Sequence, residues 1–545
     1  MTQPARPARP APTTGWIAVV VVLVAVSLPV AAVAWRALRP GGDWSLDALE
    51  QILGSARTWR LVALTVAQAA ASCAVTVAVG VPVAWVLSRY RFAGRGAVRT
   101  AAMVPFVLPS VVVGAAFASL LGPRGLVDAR GTWWAIIAAH LCFNLAVVVR
   151  TVGAAMATTD PDLDAAARVL GAGTWRVLRS VTVPAIAPAV AAAAVVVFLF
   201  CLTSFGVIVI LGGGSVSTVE VEIWTRATSQ FDLSGAGVLC MLQLVAVVAT
   251  LALHGRIVRR SALPGGRAPG RSAVRRRPRS VRERLEVGLA VVAVVVVSVL
   301  PLAALVERSL RVGDRHGLDH WRHLGDATAG TGLRVAPIDA LATSLGAAVL
   351  GTAVALALAL PASRAVAARP GGAGDRVLLL PLGVSATTIG LGLLLVFGRP
   401  PLDLRGSPWI VPFGQMLVAL PLAVRSIVPA LQSTSPSLGE AAALLGAGPS
   451  ARWWRVELPL VRKAVVAGGG LAFVACLGEF GATVFLARTA RPTVPIAIER
   501  LLSRPGGAGF GQAMALSCVL VVVCAVVLWA VDRWAGGDEA LDLRF

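Results

Sequence analysis

Side chains able to do chemistry are scarce in this 545-residue chain, and most lie in apolar surroundings. Glu479, in Gly478-Glu479-Phe480-Gly481, interrupts a long apolar run. A carboxylate at such depth is costly, so it either faces a solute path or is held by nearby backbone. Both readings stand at this point. On the first, Glu479 and Ser204, which fills the same place in Ser204-Phe205-Gly206 275 positions earlier, line a translocation path. Glu220 and Glu222 follow another apolar run, where a solvated outer-loop face is preferred to contact with cargo. His316, His320 and His323, with Asp314 and Asp319 nearby, have the spacing of ligands on one helix face. The other half of the chain has no equivalent group, so an exposed amphipathic segment is preferred and no metal is assigned. The seven cysteines are odd in number and lack a close-spaced pair, which argues against a disulfide framework or a zinc site. No Gly-x-x-x-x-Gly-Lys-Ser/Thr phosphate loop is present, and Lys463 lies in the wrong context for one. The residues suggest no catalytic group and no cofactor.

The elements that must position these residues are membrane spans. Hydrophobic residues make up 57% of the chain, charged residues 14%, and mean hydropathy is +0.80. Repeated apolar runs of about 20 residues predict an all-α integral membrane protein with about 12 transmembrane helices. The net charge of +22 comes from arginines in short segments between those runs, which fits inward-facing loops better than nucleic-acid binding. Spans are expected near 15–38, 60–87, 100–121, 132–156, 185–211 and 236–256, and again near 285–306, 338–364, 376–397, 408–431, 460–486 and 511–533. This divides the chain into a tail (1–14), a six-span repeat (15–257), a basic linker (258–284), a second six-span repeat (285–534) and a tail (535–545). For the linker, a flexible connector is preferred to an anionic-lipid patch. An even number of spans per half makes the repeats parallel, with both termini and the linker on the cytoplasmic side.

One stretch organises both halves. Asp164-Ala165-Ala166-Ala167 leads to Gly171 and on to Val183-Pro184; Glu440-Ala441-Ala442 leads to Gly446 and on to Leu458-Pro459. Glycine and proline recur at the same 275-position offset, as do Arg150 with Arg425 and His140 with Gln415. Each copy predicts a short helix ended by glycine, opened by Asp160-Pro161 or Ser435-Pro436 as cap and first-turn proline. A second basic segment with Trp175 or Trp453-Trp454 then runs into the next span.

These loops resemble the Glu-Ala-Ala-x-x-x-Gly signature of binding-protein-dependent ABC importer permeases, and the resemblance covers nearly the whole chain. The second copy matches at Glu440, Ala441, Ala442, Gly446 and Pro459. The first matches at Ala166, Ala167, Gly171 and Pro184 but has Ala165 at the acidic position, with Asp164 one residue early. The resemblance implies a MetI-like fold of two parallel six-helix repeats in a bacterial cytoplasmic membrane. It also implies that the two loops couple to cytoplasmic ABC ATPase subunits acting as a homodimer, that a binding protein delivers solute outside, and that lipid surrounds the spans. Fused chains of this size resemble thiamine and ferric-iron importers, and Leu211-Gly212-Gly213-Gly214 with Thr218–Trp224 looks more like the thiamine type. The rival reading is an ion-gradient-driven secondary transporter with two six-helix halves.

Overall fold

The computed structural model describes residues 13–123, 125–158, 166–167, 169–261, 275–326, 333, 335–369, 371–398, 402–503 and 507–535. They are overwhelmingly helical. Among the described residues ten helices are long and apolar enough to cross a membrane, and twelve spans result if each of two bent helix pairs counts as one. The expected spans near 100–121 and 376–397 are those bent pairs. Arg95–Val107 meets Ser110–Leu121 at 111°, and Ala373–Gly383 meets Ala386–Phe397 at 93°. In the first, Pro109 holds Leu108 extended and cannot donate a helical bond, so the helix stops. In the second, the Ser385 hydroxyl accepts the Thr388 N–H at 3.2 Å and starts a new helix in a new direction.

The described residues pack as two compact units that cut across chain order. One comprises Leu49–Thr225 and Leu242–His320; the other comprises Met1–Ala48, Arg226–Met241 and Trp321–Phe545. Each half of the chain therefore lends its leading span to the unit built from the other half. In the second unit, Thr13–Leu38 packs on Asp339–Ala368 and Ala386–Phe397. The approach is so close that a Cβ on Gly392 would lie 2.4 Å from the Pro29 carbonyl oxygen. In the first unit, Val281–Leu310 packs in the same manner. Ala290 and Val294 join Val83, Val86, Leu87, Ala102, Leu145 and Val149 in one buried cluster.

Two more helices end inside the apolar zone. Val183–Leu202 stops and restarts as Gly206–Leu211; Leu458–Gly478 stops and restarts as Thr483–Leu486. The bent limbs pack on these breaks. Gly390 lies against Ala482, where a Cβ would come within 2.6 Å of its Cα, and Gly114 lies against Ile210.

Candidate functional site

The second loop copy opens with helix Pro436–Leu444. Ser435 stands at its N-cap, but its hydroxyl bonds Ser437 Oγ at 2.7 Å rather than a backbone N–H, so the expected side-chain cap is not made. The helix ends in a Schellman motif. Ala447 N–H donates to Ala442 O at 2.9 Å, Gly446 N–H donates to Ala443 O at 2.9 Å, and Gly446 has φ +84°. The first copy closes in the same way: Ala172 N–H donates to Ala167 O at 3.0 Å, and Gly171 has φ +82°. Asp164 and the Asp160-Pro161 opening lie outside the described residues.

The turn has a consequence that the motif alone does not reveal. Val169 and Leu170 are each 87% exposed; at the same offset Leu444 and Leu445 are 89% and 88% exposed. Two adjacent apolar side chains thus stand free on each loop. Glu440, Trp175 and Trp454 are exposed beside them, whereas Trp453 is buried. The signal was present in the sequence as Val-Leu-Gly and Leu-Leu-Gly, but only the left-handed turn decides that both side chains point away from the protein.

Beyond the glycine, a short helix runs into a π-turn: Leu178–Thr182 in one copy and Trp453–Glu457 in the other. Val183 N–H reaches back to Leu178 O, and Leu458 N–H to Trp453 O. Pro184 and Pro459 follow directly. A proline ring crowds the carbonyl four residues earlier, and widening the turn removes that clash without breaking the helix. The third π-turn, Val295–Val299, precedes Pro301 at the same distance. In the second copy Glu457 anchors the loop, lying 3.1 Å from Arg364 and 3.2 Å from Arg452. The first copy has Thr182 at the corresponding place and so does not carry this acid.

Glu479 sits at the break after Gly478 and is 6% exposed. Its carboxylate accepts the Ala482 N–H at 2.7 Å and the Thr483 N–H at 2.9 Å, capping helix Thr483–Leu486. Ser204, at the equivalent break, meets His140 Nε2 at 2.9 Å. The His140 ring is held on its other side by Gln68 Nε2 at 3.0 Å and Ser72 Oγ at 3.1 Å, so three side chains converge on one buried imidazole. Gln415, the counterpart of His140, is buried with neither amide atom hydrogen-bonded.

Two readings from the sequence change. Glu220 and Glu222 are not on a solvated loop: they lie on helix Val219–Thr228, Glu220 is fully buried, and its Oε1 accepts from Gln243 Nε2 at 3.3 Å. Helix Val219–Thr228 folds inward because the Thr65 hydroxyl accepts its Val219 N–H at 3.1 Å; Ser344 does the same for Val494 at 2.7 Å in the other unit. The three histidines do not share one helix. His316 is in a two-residue strand 3.7 Å from Glu307, His320 Nε2 meets Arg311 O at 3.0 Å, and His323 begins a 3-10 turn. Among the described residues no three His, Cys, Asp or Glu side chains converge to hold a metal ion.

A multi-span helical chain that carries twin glycine-turned loops with free apolar tips, and broken helices at membrane depth, is a membrane transport permease. The comparisons make the class specific. The family described as binding-protein-dependent transport system inner membrane component matches residues 76–261. The molybdenum transport permease ModB of Mycobacterium tuberculosis is 34% identical over 39% of this chain and 81% of its own length. A probable ABC transporter permease, y4fN, of Sinorhizobium fredii is 26% identical over 89% of this chain and 90% of its own. The thiamine transport permease ThiP of Brucella abortus is 28% identical over 89% of each chain. The chain belongs to the binding-protein-dependent inner membrane permease family: it is a multi-pass permease of an ABC importer. That membership displaces the secondary-transporter reading.

Proposed function

We propose that this permease imports thiamine, delivered from outside by a binding protein and driven by two ATPase subunits that grip the loops at Gly171 and Gly446. The observation that carries the docking role is the pair of exposed apolar tips, Val169-Leu170 and Leu444-Leu445, presented by matching left-handed glycine turns. Exposed apolar side chains on a polar loop mark a surface awaiting a partner. Pro184 and Pro459 carry each loop into a span, so a push on the loop is delivered to the helix that breaks at Ser204 or Glu479. In this reading Ser204 and Glu479 stand on the translocation path, Glu479 by holding the shape of its break and Ser204 through His140.

Both termini lie on the loop side of the membrane in this reading, and the repeats 15–257 and 285–534 are products of one duplication, with linker 258–284 between them. Of the two cargoes suggested by the sequence, thiamine is adopted over ferric iron because the thiamine permease aligns along most of both chains.

The test is reconstitution with the neighbouring ATPase and binding protein in liposomes. ATP-dependent uptake of labelled thiamine is expected. Uptake of ferric iron or molybdate instead overturns the cargo, and uptake on a proton or sodium gradient without the ATPase overturns the coupling role.

A further inference from the structure

The arginine-rich segment between the halves is not wholly a free connector. Its end, 275–280, is fixed to the first unit. Arg276 N–H donates to Arg89 O at 3.1 Å and Arg91 N–H to Arg276 O at 2.9 Å, a short parallel bridge. The Arg276 guanidinium lies 5.5 Å from the Tyr90 ring centroid and pairs with Glu283. Glu283 also accepts from Arg279 N at 2.7 Å and forms a capping box with Ser280. The Tyr90 hydroxyl donates to Glu286 at 3.0 Å, and Arg282 lies 3.3 Å from the same carboxylate.

Residues 89–99 and 275–286 together carry ten arginines and two glutamates, and Glu283 and Glu286 are each held by an arginine of the second segment. Arg95 is pinned by its Nε to Leu87 O at 2.8 Å, Arg99 stands one turn further along the same helix, and Arg275 adjoins the Arg276 bridge. Arg91, Arg99, Arg275, Arg277 and Arg279 are exposed. A cluster of basic side chains at the end of a membrane helix attracts the negatively charged headgroups of a bilayer surface. Just beyond them, Val281, Leu285, Leu289, Val292 and Val296 form an exposed apolar lane at helical spacing along Val281–Leu310.

We propose that residues 89–99 and 275–286 form a binding site for an anionic phospholipid. Its phosphate lies among Arg91, Arg95 and Arg275, and an acyl chain lies along the lane from Val281 to Val296. The arginine fork suits phosphate oxygens, and the site is at the ends of membrane helices, where headgroups are. A free phosphate would use only the polar half of the site; a phospholipid uses both. The proposal is independent of the cargo.

The test titrates the full-length protein in neutral detergent with phosphatidylglycerol, phosphatidylcholine or inorganic phosphate, and follows retained lipid by native mass spectrometry. Phosphatidylglycerol should bind at least about tenfold more tightly than phosphatidylcholine, weaken with added salt, and resist displacement by equimolar phosphate. Arg275→Gln, an exposed change outside the spans, should weaken it about fivefold, and adding Arg95→Gln should weaken it further. Arg462→Gln in the other unit should change nothing. Equal binding of phosphatidylcholine, displacement by inorganic phosphate, or unchanged affinity in both arginine variants would each overturn the proposal.

Discussion

Arg364 lies 3.1 Å from Glu457, and its guanidinium stands 4.2 Å from the Trp453 ring centroid. This contact ties the second loop to helix Asp339–Ala368; in the first loop Thr182 stands where the second has Glu457. Both partners of the pair are largely buried, with side-chain exposures of 17% and 15%. Glu457→Gln removes the charge while leaving Arg364 and Arg452 behind, which should cost about 1.5–3 kcal/mol. The expected readout is a lower midpoint for thermal unfolding in detergent and faster hydrogen exchange across 436–457. Thr182→Ala should shift neither by a comparable amount.

The two turn glycines provide a second test. Nothing lies within 4 Å of a Cβ built on Gly171 or Gly446, so a substitution there meets only backbone strain. A non-glycine residue in the left-handed region costs about 1–2 kcal/mol, and asparagine costs less than alanine. Gly446→Asp, which also sets a negative charge beside the apolar tips Leu444 and Leu445, should abolish ATPase-coupled uptake while the protein still folds and inserts. Gly446→Asn should keep more uptake than Gly446→Ala. Equal uptake by wild type and Gly446→Asp would remove the coupling role of this turn.

The exposed loop tips make a separable prediction. Leu444→Ser with Leu445→Ser changes residues that touch little in the permease, so folding stability should move by less than about 0.5 kcal/mol. Co-purification with the ATPase should nevertheless fall, and Val169→Ser with Leu170→Ser should act in the same direction. A stable permease that retains the ATPase fully with all four changes would place docking elsewhere.

Exchange of the leading spans can be tested with one methyl group. Gly392→Ala drives a Cβ into the Pro29 carbonyl and should destabilise the chain by about 1–3 kcal/mol. Gly346→Ala, where a Cβ meets nothing within 4 Å, should be neutral or stabilising. Similar unfolding midpoints for the two variants would mean that Thr13–Leu38 does not pack on Ala386–Phe397.

Glu479 offers a further comparison. Its two oxygens hold two backbone N–H groups at the break, and Gln can replace only one acceptor. Glu479→Gln is expected to lower stability by about 1–3 kcal/mol and to reduce uptake together with it. Lost uptake at unchanged stability would instead mean that the carboxylate acts directly on the solute.

What the sequence determined by itself is local. Apolar runs long enough to cross a bilayer placed the spans, because length and composition alone decide whether a helix can cross. The fixed offset between Gly171 and Gly446 located both loops, because a helix stop at glycine depends on that residue's own backbone freedom. Tertiary structure decided the rest. Hydropathy says which segments enter the membrane and nothing about which neighbours they choose, so the exchange of Thr13–Leu38 and Val281–Leu310 between units was not legible. The sharp bends at Pro109 and Ser385 turned two expected straight spans into folded pairs. Glu220 looked solvated until Gln243, from another helix, reached it. The carboxylate of Glu479 could be read two ways until the chain around it folded back to present two N–H groups. In each case the deciding partner is distant in sequence or depends on a backbone direction that composition does not encode.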